Sequence, residues 1–272
     1  MKVVLFCGGL GMRLRDYSES TPKPMVPVGY RPILWHVMRY YAHFEHRDFI
    51  LCLGYKADSI KQYFIKYEET LSNDFVMTEG GKKVELLASD IQDWKITFVD
   101  TGLNSNIGMR LKAVEPFLKD EEMFLANYSD GLTDLQLPAM IDWFKVKDAV
   151  ACFAGVAPTQ SVHLVSVQDG GLVKSVKHIK DVGMRINGGY FAFRREIFDW
   201  MKPGEELVEE PFARLAEARK LLAYPYDGFW ACMDTFKDKQ LLEDMYSRGK
   251  VPWEVWKPQL PEPKGATGER AR

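Results

Sequence analysis

Apolar positions in this chain come in short blocks separated by stretches of helical spacing. Val3–Cys7, Asp48–Leu53 (DFILCL), Trp94–Val99 (WKITFV), Met123–Tyr128 and Ala149–Val156 are nearly continuous apolar runs. Runs of that length predict strands buried on both faces. In Arg31–Phe44, Ile33, Leu34, Val37, Met38 and Tyr41 fall at i, i+3, i+4 spacing and predict a helix. Asp58–Glu68 places Ile60, Tyr63, Phe64 and Tyr67 on one side of a second helix, Ile107–Val114 starts a third, and Leu137–Lys147 makes a fourth. Strands alternating with helices in this way predict an α/β fold with a Rossmann-like, doubly wound, mainly parallel sheet. Ligands of such sheets sit beyond the carboxyl ends of the strands. Two loops that directly follow strands are therefore of interest: Gly8-Gly9-Leu10-Gly11 and Ser129-Asp130-Gly131.

Beyond Ala157 the pattern shortens. His163–Val167, Leu172–Val176 and Gly189–Arg194 read as shorter strands, and Pro211–Glu217 and Asp238–Arg248 as helices. No repeat or linker divides the chain, so one domain is expected over 1–256. The stretch 257–272 is rich in Pro, Gly, Lys, Glu and Arg and is expected to be a disordered tail.

Charge narrows the function. The formal net charge of 272 residues is -2, which lacks the basic footprint of a duplex-binding protein. No nucleic-acid partner is expected, and any phosphate must be gripped locally. Cys7, Cys52, Cys152 and Cys232 show no CxxC or Cys/His metal spacing and read as buried free thiols of a reducing compartment. The first apolar run is too short for a signal peptide, and no segment has the length to span a bilayer. A cytoplasmic protein without a membrane partner is expected.

Two motifs suggest phosphate chemistry. Gly8, Gly9 and Gly11 allow close approach of backbone N–H groups to phosphate, and Arg13 adds a fixed cation. The spacing matches neither a dinucleotide fingerprint nor a P-loop. In Thr21-Pro22-Lys23-Pro24-Met25-Val26-Pro27, three prolines stiffen the loop around Lys23 and suit it to a phosphate clamp.

These residues also carry a resemblance. GGLGMRL, TPKPMVPVG and RPILWHVM are similar to the opening signature of the sugar-1-phosphate nucleotidyltransferases. CLGYKADSIKQYF, NYSDGLTD, INGGYF, GFWACMDTFKD and GKVPWEVW most resemble the glucose-1-phosphate cytidylyltransferase branch, up to about Trp256. The resemblance implies transfer of a nucleotidyl group from a nucleoside triphosphate, CTP favoured, to a sugar 1-phosphate, with release of pyrophosphate and with Mg²⁺ as cofactor. It implies a nucleotide-binding half over about 1–135 and a sugar-binding part over about 136–256, with a small C-terminal sugar-binding or oligomerisation extension and a homo-oligomeric assembly.

Carried onto this chain, nucleotide binding falls to Leu5, Gly8, Gly9, Gly11, Met12, Arg13, Lys23, Arg110 and Asp130. Lys23 and Arg13 would stabilise charge in catalysis, and Asp130 and Asp234 would hold the metal. Tyr128, Asn187, Gly188 and Asp234 would line the sugar-phosphate pocket. The chain departs from the family twice. Met12 replaces a small hydroxyl residue, and the family's Glu-Lys-Pro motif is replaced by Val176-Lys177-His178-Ile179-Lys180-Asp181. Lys177 or Lys180 would then supply the phosphate-binding cation, with His178 or Asp181 in place of the acid. One alternative is a non-catalytic nucleotide- or sugar-nucleotide-binding regulator, which these departures favour and the intact Lys23, Asp130 and Asp234 oppose; the other is a transferase using another nucleoside triphosphate and a non-glucose sugar phosphate. A nicotinamide-dependent oxidoreductase lacks its fingerprint. His36 sits on an apolar helical stripe and reads as a packed core or interface histidine.

Overall fold

The structure is a computed structural model and describes residues 1–9, 21–159 and 162–257. Gly11, Met12, Arg13 and the stretch 258–272 lie outside the described residues. Seven strands form the central sheet: β1 (Val3–Phe6), β2 (Asp48–Leu53), β3 (Lys95–Asp100), β4 (Met123–Asn127), β5 (Ala151–Val156), β6 (Ile186–Arg194) and β7 (Leu221–Tyr226). Their spatial order is β7-β5-β6-β4-β1-β2-β3. Only β6 runs against its neighbours, antiparallel to both β4 and β5; the other adjacent pairs are parallel. The mainly parallel, doubly wound sheet predicted from the pattern is present.

Burial explains why the central strands read as unbroken apolar runs. Successive side chains of a strand point to opposite faces. On β1, Val3 and Leu5 enter one core, whereas Val4 and Phe6 enter the other. Likewise Phe49, Leu51 and Leu53 of β2 face one way, and Ile50 and Cys52 the other. Helix α1 (Ile33–His43) covers the first face, with nine of its residues from Ile33 to Ala42 buried. It begins two residues later than expected because Arg31–Pro32 pairs with Pro27–Val28 as a short hairpin. Helix α2 (Ala57–Ile65) follows β2, α3 (Ile107–Val114) follows β3, and α4 (Leu137–Lys145) joins the first core with Met140, Ile141 and Phe144. Leu111 and Val114 of α3, together with Phe212 and Leu215 of α5 (Glu210–Glu217), pack into the second core. The last helix, α6 (Phe236–Ser247), starts with a capping box between Thr235 and Asp238.

His36 is 1% exposed and sits among Trp35, Tyr246, Trp253 and Trp256, with Nε2 against the Val28 carbonyl at 3.0 Å. It is a packed core histidine, and burial pulls its pKa down to about 4. The described residues contain four free cysteines; Cys7, Cys52 and Cys152 are buried and Cys232 is partly so. Among the described residues no helix is long and apolar enough to cross a membrane.

Two hairpins stand outside both cores. Phe75–Thr78 pairs with Lys83–Leu86, and His163–Val167 with Val173–His178. Their residues are almost all exposed.

Candidate active site

The strand order fixes where a ligand can sit. From β1 the chain builds outward through β2 and β3, then crosses to β4 on the other side of β1. A crevice opens at such a reversal, beyond the carboxyl ends of the two central strands. Gly8 and Gly9 follow β1 there, and Tyr128, Ser129 and Asp130 follow β4. Because β6 is antiparallel, its first residues, Ile186, Asn187 and Gly188, arrive at the same edge. These segments line a cavity of about 650 Å³, together with Lys23, Pro24, Ser105–Ile107, Arg110, Glu206, Trp230, Cys232 and Asp234.

Two acids distant in sequence are brought together by a small antiparallel pair. Gly131–Thr133 pairs with Trp230–Cys232, with Gly131 opposite Cys232. The Met233 N–H donates to the Asp130 carbonyl at 2.9 Å and extends the pairing by one step. Asp130 and Asp234 therefore flank the end of one ladder. Ser129, just before Asp130, holds a left-handed φ of 65°, a conformation that non-glycine residues adopt at a local cost. It is held by the Asn127 side chain, which accepts from its N–H at 2.7 Å, and by the Phe6 carbonyl, which accepts from its hydroxyl at 2.8 Å. The turn aims Asp130 into the cavity.

Lys23 enters from the other side, in a single helical turn, Lys23–Met25, with proline before it and after it. Its Nζ lies 2.5 Å from Asp130 Oδ2 and 2.6 Å from Asp234 Oδ1. Burial alone would lower the pKa of the ammonium; Asp130 and Asp234 outweigh that and raise it. The site thus holds a permanent cation between two carboxylates. Cys232 lies beside them, its Sγ 3.7 Å from Asp234 Oδ2. Burial and the neighbouring acids push that thiol up to about 12 and keep it protonated.

Arg110 also reaches the cavity, but its guanidinium is otherwise engaged. It is 2% exposed. Nη1 donates to the carbonyls of Leu53 and Gly102 and to Thr101 Oγ1; Nη2 donates to the carbonyls of Gly8 and Leu103. A Cβ on Gly8 would fall 2.1 Å from Arg110 Nη1, so glycine is required there for the arginine to lie against the loop. Burial lowers the pKa of Arg110.

The opposite wall is polar and neutral. Asn187 Nδ2 donates to the Tyr128 hydroxyl at 3.1 Å, its Oδ1 accepts from the Gly189 N–H at 2.9 Å, and Trp230 Nε1 donates to the Gly188 carbonyl at 2.8 Å. Burial raises the pKa of Tyr128.

Of the residues singled out from the sequence, Gly9, Lys23, Arg110, Tyr128, Asp130, Asn187, Gly188 and Asp234 line this one cavity, and Gly8 backs it through Arg110. Leu5 is fully buried in the core, one residue before the last of β1. Lys177 and Lys180 are exposed on and just after the outlying hairpin, away from the cavity wall. Glu206, Asn106 and Trp230 are cavity residues that the sequence reading did not pick for the site. Glu206 lies in a charged surface stretch, GEELVEE, with no motif around it.

A Rossmann-like sheet with a lysine and two acids at its switch point describes an enzyme that handles phosphates. The chain belongs to the nucleotidyl transferase family, whose model matches residues 2–230. Within it, the chain is a sugar-1-phosphate nucleotidyltransferase, as its motifs led us to expect. It is 38% identical over 258 residues to a glucose-1-phosphate cytidylyltransferase of Salmonella typhi, covering 94% of this chain and 100% of that protein. It is 26% identical over 249 residues to a mannose-1-phosphate guanyltransferase of Yarrowia lipolytica, covering 89% of this chain and 62% of the other. Its fold matches the UTP-bound UGPase of Acinetobacter baumannii with a TM-score of 0.68 at 20% identity, over 94% of this chain and 96% of that one.

Proposed function

We propose that this enzyme transfers the cytidylyl group of CTP to a sugar 1-phosphate, giving a CDP-sugar and pyrophosphate. The observation that carries this reading is the Lys23 ammonium clasped by Asp130 and Asp234 at the crevice between β1 and β4. The 38% identity to a cytidylyltransferase over nearly the whole chain favours CTP over other nucleotides.

The geometry supports the following chemistry. A phosphate oxygen of the sugar 1-phosphate attacks the α-phosphorus in line, the bond to the β-phosphate oxygen breaks, and pyrophosphate leaves. No covalent enzyme intermediate is required; catalysis is positioning plus neutralisation of growing negative charge. Lys23, raised in pKa, stays protonated and offers its ammonium to the α-phosphate and to the leaving pyrophosphate. Arg13 is a second cation proposed for the same charge. Gly8, whose carbonyl accepts from Arg110, and Gly9 would present backbone N–H groups to the nucleotide, with Leu5, Gly11 and Met12 proposed as further nucleotide-binding residues. Tyr128, Asn187 and Gly188 orient the sugar. Lys177 or Lys180, neither of which lines the cavity, is the proposed cation for its phosphate, in place of the family's Glu-Lys-Pro lysine.

Two oxygen-donor carboxylates already holding a cation suit Mg²⁺, which takes few protein ligands and completes its shell with phosphate and water. Among the described residues no group of three or more His, Cys, Asp and Glu is placed to hold a metal ion. Asp130 and Asp234 would hold the ion, which when bound would offset phosphate charge. The enzyme is proposed to be cytoplasmic and to assemble as a homo-oligomer.

The direct test is pyrophosphate release from purified protein with Mg²⁺, with CTP, UTP, dTTP, GTP and ATP each offered with glucose 1-phosphate and other sugar 1-phosphates. Release that requires CTP and one sugar phosphate is the expected result. Release that requires UTP or dTTP would replace CTP, and silence across the panel with nucleotide still bound would favour the regulator.

A further inference from the structure

The cavity has a second carboxylate region that catalysis does not use. Glu206 lines the wall formed by the start of α3, on the side of Arg110. Its Oε2 accepts from the Ile107 N–H at 3.3 Å, and its Oε1 accepts from the Leu207 N–H at 3.0 Å. The segment that carries it is firmly seated. Asn106, the N-cap of α3, donates through Nδ2 to the Gly204 carbonyl at 3.0 Å. Gly108 lets the Glu205 carbonyl approach where a Cβ would stand 2.2 Å from it. Arg214 grips both oxygens of Glu205, at 2.8 and 2.5 Å. Such anchoring gives Glu206 a fixed position rather than that of a mobile surface acid.

The remaining volume constrains what Glu206 meets. The phosphates belong at Lys23, Asp130 and Asp234, and the sugar at Asn187 and Tyr128. Glu206 is near enough to Tyr128 to help raise its pKa, so it stands between the wall given to the sugar and the Arg110 side, which we assign to the base of the nucleotide. An ionised carboxylate only accepts hydrogen bonds; burial, helped by Glu209 and Glu210, raises the pKa of Glu206 against the Ile107 and Leu207 N–H groups, which favour the ionised form. At the equivalent ring position cytosine offers an exocyclic amine, a donor, whereas uracil and thymine offer an oxygen acceptor.

We propose that Glu206 is a specificity-determining residue that accepts a hydrogen bond from the exocyclic amine of the nucleotide base, selecting cytosine over uracil and thymine. The inference rests on the nucleotidyl transfer proposed above. Purines are left to the shape of the wall.

The test compares nucleotide selectivity in the wild type and in Glu206→Gln, whose amide can donate as well as accept. In the variant the ratio of kcat/KM for CTP over UTP should fall by about tenfold or more, while the KM for the sugar phosphate stays within about twofold, inside the ordinary scatter of interaction energies. An unchanged ratio overturns the proposal, whether or not the melting temperature drops. A raised KM for the sugar phosphate with an unchanged ratio also overturns it and assigns the acid to sugar hydroxyls. A second measurement needs no variant: calorimetric binding to the wild type of CTP and of its 2-pyrimidinone analogue, which lacks the amine. Weaker binding of the analogue by about tenfold supports the proposal; equal binding overturns it. A folded wild type that binds no nucleoside triphosphate brings down the functional reading itself, and is told apart by CTP binding alone.

Discussion

Two cations line the same cavity and behave differently. Lys23 faces two carboxylates, which raise its pKa against the pull of burial. Arg110 faces neutral acceptors, the carbonyls of Gly8, Leu53, Gly102 and Leu103 and the hydroxyl of Thr101, and burial lowers its pKa. An ammonium held by two charges can exchange them for phosphate oxygens at small net cost, because charge is replaced by charge. A guanidinium whose donors are spent on the backbone of three loops cannot leave without unpicking those loops. Motif membership alone treats the two as equals; their partners separate the one proposed to meet substrate from one that ties the surrounding loops together.

The sharpest way to break this comparison is at the acids that hold Lys23. Asp130→Asn or Asp234→Asn should reduce Mg²⁺-dependent turnover to about 1% or less, as loss of a catalytic metal ligand costs several kcal/mol of transition-state stabilisation. Circular dichroism and melting should show the fold intact; full activity in either variant removes the metal assignment. Next in size, Lys23→Ala should lower kcat by about 10²–10³, the usual cost of losing a donor that stabilises developing charge. Arg110→Met should show the opposite pattern. It strands five buried acceptors, and a hydrogen bond to a charged group contributes about 1.5–3 kcal/mol, so a stability loss of about 3 kcal/mol or more is expected. Urea denaturation checks it, and an Arg110→Met protein as stable as the wild type would refute the structural role.

A smaller effect concerns pH. His36 is buried and neutral, with a folded pKa of about 4 against an ordinary value of 6.5. Its folded pKa is depressed, so between pH 6.5 and 4 the unfolded chain binds more protons than the folded one. Stability should therefore fall as pH drops through that window, by up to about 3 kcal/mol from this residue. Melting curves from pH 7.5 to 4.5 should show a shallower slope in His36→Gln than in the wild type; equal slopes would contradict the assignment.

The central fold was legible because β1, β2, β4 and β5 are buried on both faces and announce it with unbroken apolar runs. Outside that condition legibility was partial: the exposed strands His163–Val167 and Val173–His178 were expected, but other elements were not. The β7 strand is a half-buried edge containing Pro225, and the Phe75–Leu86 hairpin lies outside both cores, so neither shows a clean period. Gly131–Thr133 and Trp230–Cys232 are three residues each and gain their ladder only by pairing across about a hundred positions, a cost in loop closure that no local pattern encodes. That pair is what unites Asp130 with Asp234, so the motifs pointed to both acids while their meeting was invisible. Glu206 left no trace in sequence, because its place depends on Asn106, Gly108 and Arg214, which are far from it or unremarkable around it.

The most direct test of the account is single-turnover conversion of CTP labelled at the α-phosphate, bound to excess enzyme with Mg²⁺ and mixed with the sugar 1-phosphate, in the wild type and in Lys23→Ala. The label should pass into a CDP-sugar in the wild type, and about a hundredfold or more slower in Lys23→Ala with CTP still bound. Equal rates in the two proteins would contradict the claim that the lysine between the two aspartates carries the chemistry.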